Sequence, residues 1–394
     1  MTAFGLYVHI PFCPQLCPYC AFASLQGKEE FYERYVAAVC RELDRCRHLE
    51  GRKPLGTVFF GGGTPSMLEP GHLRRILEAA TVRLGLAVDA EITIEVNPGT
   101  TDYTKFSTFR ALGFNRLSIG VQSFTDQSLR ALGRVHSARE AEEAYAVARK
   151  AGFDNVNLDL ISSIPDMPPE HWRHSLERAL ELAPEHISTY ALTIEEGTLF
   201  AERQRQGRLQ PVSEEEDTWA YEWAMKRLRG AGYEHYEVSN FALPGRRSRH
   251  NWGYWSGAEY LGVGLSAHSF LNARRSWNAR DLLEYIEAVE AGRSPCAGAE
   301  EIDAATARRE RVWMGLRTQE GVLIEPGERL ALEREERFRG LQEAGYVEFE
   351  GIHLRLAGKG FMVADALGVE LMDLLEEVSD FEPGTYQRKI ENEN

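Results

Sequence analysis

Basic residues are scarce in this chain. Its 394 residues carry 45 Lys and Arg against 60 Asp and Glu, a net charge of −15. Such a surface repels phosphate backbones and sets nucleic acid aside as a general partner. Long apolar runs are missing too, so no integral membrane segment is expected. Met1 to Leu6 has neither the basic start nor the apolar stretch of a secretory signal, and a cytoplasmic location is expected. Cysteine is sparse, six in all. In a reducing compartment these thiols serve as ligands or packing groups before they serve as disulfides. No Cys-x-x-Cys-His occurs, which excludes the c-type haem attachment motif. No repeat of solenoid period is found.

What is present first is alternation. Short apolar runs at Gly5–Ile10, Thr57–Phe60, Glu91–Val96, Arg116–Gly120, Asn155–Ile161 and His186–Ala191 predict strands. Amphipathic stretches at Glu30–Leu49, Gly71–Leu84, Asp102–Leu112, Ala138–Ala151 and Glu170–Leu182 predict helices between them. Ser137 with Glu140, and Ser213 with Glu216, form capping boxes that open helices, and Gly152 is a fitting stop. Six βα units imply an α/β fold with a parallel sheet wound one way, a partial (β/α)6 barrel. Residues 1–235 form this core. Residues 236–298, rich in Gly, Asn, Trp and Tyr, read as a connecting region. Residues 299–375 read as helices around a hairpin turning at Glu350–Gly351, a winged-helix-like outline, and 376–394 as a polar tail.

The cysteines are unevenly placed. Cys40, Cys46 and Cys296 are scattered and read as packing residues. Cys13, Cys17 and Cys20 sit together in Cys-x3-Cys-x2-Cys spacing after the first strand. Three thiolates on one loop can hold three corners of a cubane cluster, leaving one iron for a small molecule to chelate. Zinc normally wants a fourth ligand, and His9 lies inside the preceding strand.

Val8-His9-Ile10-Pro11-Phe12-Cys13 with Cys17-Pro18-Tyr19-Cys20 resembles the radical S-adenosylmethionine (SAM) superfamily. More narrowly it is similar to the branch that holds oxygen-independent coproporphyrinogen III oxidase and the HemW haem chaperones, from Tyr7 to about Leu371. The resemblance implies a [4Fe–4S] cluster on Cys13, Cys17 and Cys20. It implies that SAM chelates the open iron and, on reduction, yields methionine and a 5′-deoxyadenosyl radical. The remaining motifs fall at successive strand ends. Gly61-Gly62-Gly63-Thr64-Pro65 lets a backbone approach a ligand, and without a following Gly-Lys-Ser/Thr it is no P-loop. Glu95 can take the SAM ammonium, Gln122 can bond ribose hydroxyls, and Arg134 can pair with the SAM carboxylate. Asp159 stands inside an apolar run, where a carboxylate needs a partner. Tyr7 and Tyr19 join these SAM contacts through the resemblance. Gly262-Val263-Gly264-Leu265-Ser266-Ala267 matches a dinucleotide fingerprint, but no clear strand of a βαβ unit precedes it and no acidic residue follows at the required distance, so a nicotinamide site is rejected.

Two marks separate the members of the branch. The oxidase has a fourth cysteine where this chain has Phe22, and a longer segment before its first strand. His250-Asn251-Trp252-Gly253-Tyr254-Trp255 fits the chaperones' His-Asn-x-x-Tyr-Trp motif. The expectation is therefore a haem chaperone with haem as cargo, an acceptor protein and an electron donor. His250 would be the iron ligand and His268 the second choice, with the aromatic neighbours covering the macrocycle. The alternative is a radical enzyme, either the porphyrinogen oxidase or a related methyltransferase. One departure is Ala21, where the chaperones usually have Asp.

Overall fold

The computed structural model describes residues 3–49 and 51–379. Strands β1 (Gly5–Ile10), β2 (Leu55–Gly62), β3 (Leu86–Val96), β4 (Arg116–Gln122), β5 (Val156–Ser162) and β6 (His186–Ala191) lie side by side in chain order. Every pairing among them is parallel. Helices α1 (Tyr32–Arg45), α2 (Pro70–Leu84), α3 (Tyr103–Ala111), α5 (Ala138–Lys150) and α6 (Pro169–Leu182) supply the crossovers, with a short α4 (Asp126–Ala131) that periodicity had not suggested. The long first helix expected to Leu49 ends at Arg45, and residues 46–49 finish it as a 3-10 turn. The capping box at Ser137 is formed, and Gly152 follows α5 with φ +88°, a left-handed stop that glycine adopts without strain.

Period-two alternation explains how these strands are used. In β4, Leu117, Ile119 and Val121 face outward and join one buried cluster with Leu73, Ile76, Phe106, Phe109 and Leu176 from the helices. Each such side chain contributes roughly 1.5–3 kcal/mol on leaving water. The intervening residues face the barrel interior and are polar: Arg116 and Ser118 from β4, Glu95 from β3, and Asn157 and Asp159 from β5. The apolar half of each strand holds the helices, which leaves the other half free for chemistry.

After β6 come α7 (Leu199–Arg205) and α8 (Glu214–Gly230), the latter opened by the Ser213 capping box. The segment read as a connecting region supplies further strands to the same sheet. β7 (Glu234–Glu237) and β8 (Asn240–Ala242) extend it beyond β6. At the other edge β9 (Tyr260–Val263) pairs parallel with β1, followed by β10 (His268–Leu271), β11 (Arg274–Asn278) and β12 (Cys296–Glu301). Helix α9 (Arg249–Trp255) precedes β9, and α10 (Leu282–Glu290) lies between β11 and β12. The dinucleotide look-alike overlaps β9, but the next element, β10, runs antiparallel to it with no helix between, so the strand enters no βαβ unit. The Gly264 amide donates to Glu42 at 2.9 Å and the Leu265 amide to the Tyr35 hydroxyl at 2.9 Å, so neither faces a phosphate.

A second compact unit takes residues 236–238, 255–257 and, of the described residues, 302–379. It comprises α11 (Ala304–Leu316), β13 (Val322–Leu323), α12 (Pro326–Leu332), α13 (Glu336–Glu343), β14 (Val347–Glu350), β15 (His353–Leu356) and α14 (Ala364–Ser379). Its sheet has the order β13-β15-β14, with the hairpin turn carried by Gly351 at φ +61°. Residues 376–379 are the end of α14, and the rest of the expected tail lies outside the described residues.

Candidate cluster and SAM site

The cysteine loop leaves the C-terminal end of β1. Cys13, Cys17 and Cys20 are all partly exposed and unpaired by disulfides, and the Cys20 amide bonds the Cys17 carbonyl at 3.1 Å. The Thr64 hydroxyl donates to Cys13 Sγ at 3.5 Å, and Arg134 Nη1 to Cys17 Sγ at 3.6 Å. Burial pushes the Cys13 and Cys20 thiols up, so loading metal would release protons. The Phe22 amide and the Ser24 hydroxyl oppose that shift at Cys20, which gives this sulfur donors although Ala21 has none to offer. Among the described residues no three His, Cys, Asp or Glu side chains converge as ligands of one ion. A cubane asks for something different, since each thiolate takes its own iron. His9 is no fourth ligand: its Nε2 donates to the Ala23 carbonyl at 2.8 Å, and its Nδ1 accepts from Tyr7 at 3.1 Å. Three thiolates without a fourth protein donor fit a cluster better than zinc.

The glycine run packs under this loop. A Cβ on Gly63 would stand 2.7 Å from the Pro11 carbonyl, and Gly62 adopts φ +113°. The Gly62 amide donates to Glu95 Oε2 at 3.0 Å. Asn97 is the hub that the sequence reading missed. Its Nδ2 donates to Thr64 at 2.8 Å, and its Oδ1 accepts from Arg134 Nη2 at 2.6 Å. Arg134 also reaches the Gly120 carbonyl at 3.0 Å, while its Nε has no partner. A guanidinium fixed beside the cysteine loop with an orphaned N–H fits an incoming carboxylate. Gln122 ends β4 at φ +64°, a costly conformation for a residue with a side chain, and its amide comes close to Asn97 and Arg134 around Gly120. The Asn97-Pro98 pair at a strand end was the available signal for this hub.

Below this layer lies a polar cavity of about 160 Å³, walled by Tyr7, Glu95, Arg116, Ser118, Asn157 and Asp159 among others. Asp159 accepts from Ser118 at 2.9 Å and from Asn157 at 2.8 Å. Burial, reinforced by the Asp159 charge, pushes Glu95 up to about 8, and burial raises Asp159 as well. Both carboxyls are enclosed by protein yet open to the cavity. Tyr7, Glu95 and Asp159 thus share one chamber, Gly62 joins it through its bond to Glu95, and Thr64 and Arg134, with Gln122 close by, form a polar layer against the cysteine loop. Tyr19 stays at the cysteine loop: its ring packs against Leu132, Ile161 and Ile164, and its hydroxyl lies against Cys17 beside Arg134, burial pushing its pKa up.

The two histidines differ sharply. His250 is buried, with Nδ1 2.8 Å from the Thr57 hydroxyl and Nε2 2.8 Å from the Tyr254 hydroxyl. Burial pushes its pKa down to about 3. Tyr254 meets its ring edge-on at 5.0 Å, Phe59 stacks on it at 5.2 Å, and Trp252 lies under Arg247, while His250 and Tyr254 both line the interior cavity. His268 is exposed on β10, its ring 5.9 Å from Trp277.

A parallel half-barrel with a three-cysteine loop and a glycine run at its strand ends is the architecture of the radical SAM superfamily, whose signature matches residues 7–179. The chain belongs to that superfamily. Within it the chain belongs to the HemW family. It is 36% identical over 369 residues to "Heme chaperone HemW" of Mycobacterium tuberculosis (strain ATCC 25618 / H37Rv), covering 92% of this chain and 93% of the relative. The Escherichia coli (strain K12) "Heme chaperone HemW" is 42% identical over 268 residues, 67% and 69% of the two chains. A Bos taurus protein, "Radical S-adenosyl methionine domain-containing protein 1, mitochondrial", is 33% identical over 397 residues, 95% and 88%. Among solved structures, coproporphyrinogen III oxidase (HemN) from Escherichia coli superposes with a TM-score of 0.80 at 23% identity, over 93% of this chain and 90% of that one. At that identity the likeness speaks for the fold alone. Among the described residues no helix is long and apolar enough to cross a membrane.

Proposed function

We propose that this protein is a haem chaperone: it carries a [4Fe–4S] cluster and SAM, binds haem, and passes it to an acceptor protein. The observation that carries the reading is the likeness, over most of the chain, to relatives named heme chaperone at 34–42% identity. Phe22 supports it, standing 73% exposed where the oxidase has its fourth cysteine. Cys13, Cys17 and Cys20 would hold the cluster, which when bound supplies an electron for cleavage of the SAM sulfonium. Arg134 would orient the SAM carboxylate, while Glu95, Gln122 and Asp159 would take its ammonium and ribose hydroxyls. The glycine run admits the ligand close to the backbone. Ligation of haem iron by His250 requires Thr57 to release Nδ1 or Tyr254 to release Nε2, whereas His268 is exposed.

Anaerobic reconstitution followed by two parallel assays tests this reading. Haem titration followed by the Soret band, then transfer to an apo-haemoprotein, should succeed. Coproporphyrinogen turnover should be negligible. Turnover of coproporphyrinogen without haem binding would establish the radical enzyme instead.

A further inference from the structure

The interior cavity contains one buried charge that the site described above does not use. Arg116 opens β4, is 1% exposed, and forms part of the cavity wall with Glu95 and Asp159. In the sheet it pairs with Thr93, two residues before Glu95, and it stands two residues before Ser118, which bonds Asp159. A guanidinium remains charged at any pH the fold survives and offers five donors. Its Nε nevertheless has no partner, and neither carboxyl group turns to it. Glu95 is held by the Gly62 amide, and Asp159 by Ser118 and Asn157. A buried guanidinium with an orphaned N–H is expensive to keep, and packing alone would be served by an apolar side chain.

We propose that Arg116 is a positioning residue for SAM: as the cavity's buried counter-charge, it favours the ionised forms of Glu95 and Asp159 that receive the ligand's ammonium and ribose hydroxyls. The proposal rests on the reading of Glu95 and Asp159 as SAM contacts. Coulomb attraction at this range, inside a weakly screening interior, needs no direct bond. Every titratable group facing the chamber has a definite place. Tyr7 comes from β1, Glu95 from β3, Asp159 from β5, Tyr190 from β6, and His250 and Tyr254 from α9, while His186 of β6 lies behind the wall, bonded to Asn157 at 2.6 Å. Glu91 is engaged by the Arg249 and His250 amides at 3.0 Å. Burial pushes Tyr7 and Tyr254 up and His186 and His250 down, which keeps all four neutral between pH 6.5 and 9. The carboxyls are the groups that change. Burial raises both, and Arg116 opposes the rise in each. Removing Arg116 therefore leaves them more protonated at neutral pH, and raising the pH restores their charge.

The full-length chain is reconstituted anaerobically as parent, R116M, R116K, E95Q and D159N, with cluster content matched by iron and sulfide. SAM dissociation constants are measured by equilibrium dialysis from pH 6.5 to 9. R116M should weaken SAM on the order of tenfold at pH 7, as for a shift of one pKa unit, and the ratio to parent should shrink as pH rises. R116K, which keeps the cation, should stay within about threefold of parent. If R116M loses its cluster, R116Q replaces it and should show the same pH-dependent loss. Weakening that is equal at every pH, or absent, overturns the proposal. If E95Q and D159N bind SAM as the parent does, the assignment of the SAM contacts fails, whatever R116M shows.

Discussion

Gly62→Ala drives a methyl group into the ring of His9. The added Cβ would stand 2.5 Å from His9 Cε1 and 2.6 Å from Nδ1. The ring cannot swing away cheaply, because Ala23 and Tyr7 hold its two nitrogens. The backbone also resists, since φ is +113° and a side chain there costs about 1–3 kcal/mol. Overpacking a tight contact adds roughly 1–3 kcal/mol more. The expected loss is about 2–6 kcal/mol, a large share of the 5–15 kcal/mol typical of a domain. Urea unfolding of the apoprotein reads this directly. Gly71→Ala in the first turn of α2, where nothing lies within 4 Å of the new Cβ, is the control and should be neutral or stabilising by up to ~1 kcal/mol. A displaced His9 also frees the Ala23 carbonyl, so Gly62→Ala should retain less cluster after reconstitution. A loss below about 1 kcal/mol with parental cluster content would show that the crowding around His9 is not what requires glycine here.

Replacing Cys13, Cys17 and Cys20 together by Ala should abolish iron, sulfide and the visible cluster absorption, whereas Ala at Cys40, Cys46 and Cys296 should leave all three at parental levels. Arg134→Ala removes a charge-assisted hydrogen bond worth roughly 1.5–3 kcal/mol, so calorimetry should find SAM about tenfold to a hundredfold weaker; unchanged affinity would remove Arg134 from the site. His250→Ala and His268→Ala should separate the two haem readings. Loss of the Soret shift and of haem retention in only one variant identifies the ligand, and parental spectra in both place it elsewhere. Phe22→Cys should add no coproporphyrinogen turnover, because a fourth thiol alone builds no tetrapyrrole pocket; turnover above the parent's would contradict this.

The sequence by itself determined the elements that depend on neighbours along the chain. Six strand positions were readable from apolar runs, and the starts at Ser137 and Ser213 from capping boxes, because a helix start needs only four residues in a row. The cysteine loop was equally plain, since three thiols within eight positions are local. What the sequence left open was set by distance in space. Asn97 bridges Thr64 and Arg134, residues 33 and 37 positions away; the Asn97-Pro98 pair marks a strand end but not the two partners that make it the hub. His250 looked like an available imidazole among aromatics, yet Thr57, far upstream, and Tyr254 close both of its nitrogens. Arg116 read as an ordinary strand residue. Only the parallel register, which brings β3, β4 and β5 around one cavity, shows that its charge is buried with an orphaned Nε. Local order follows from the backbone and its nearest side chains. Protonation, ligand access and the pairing of charges follow from burial, and burial exists only once the sheet has closed around the interior.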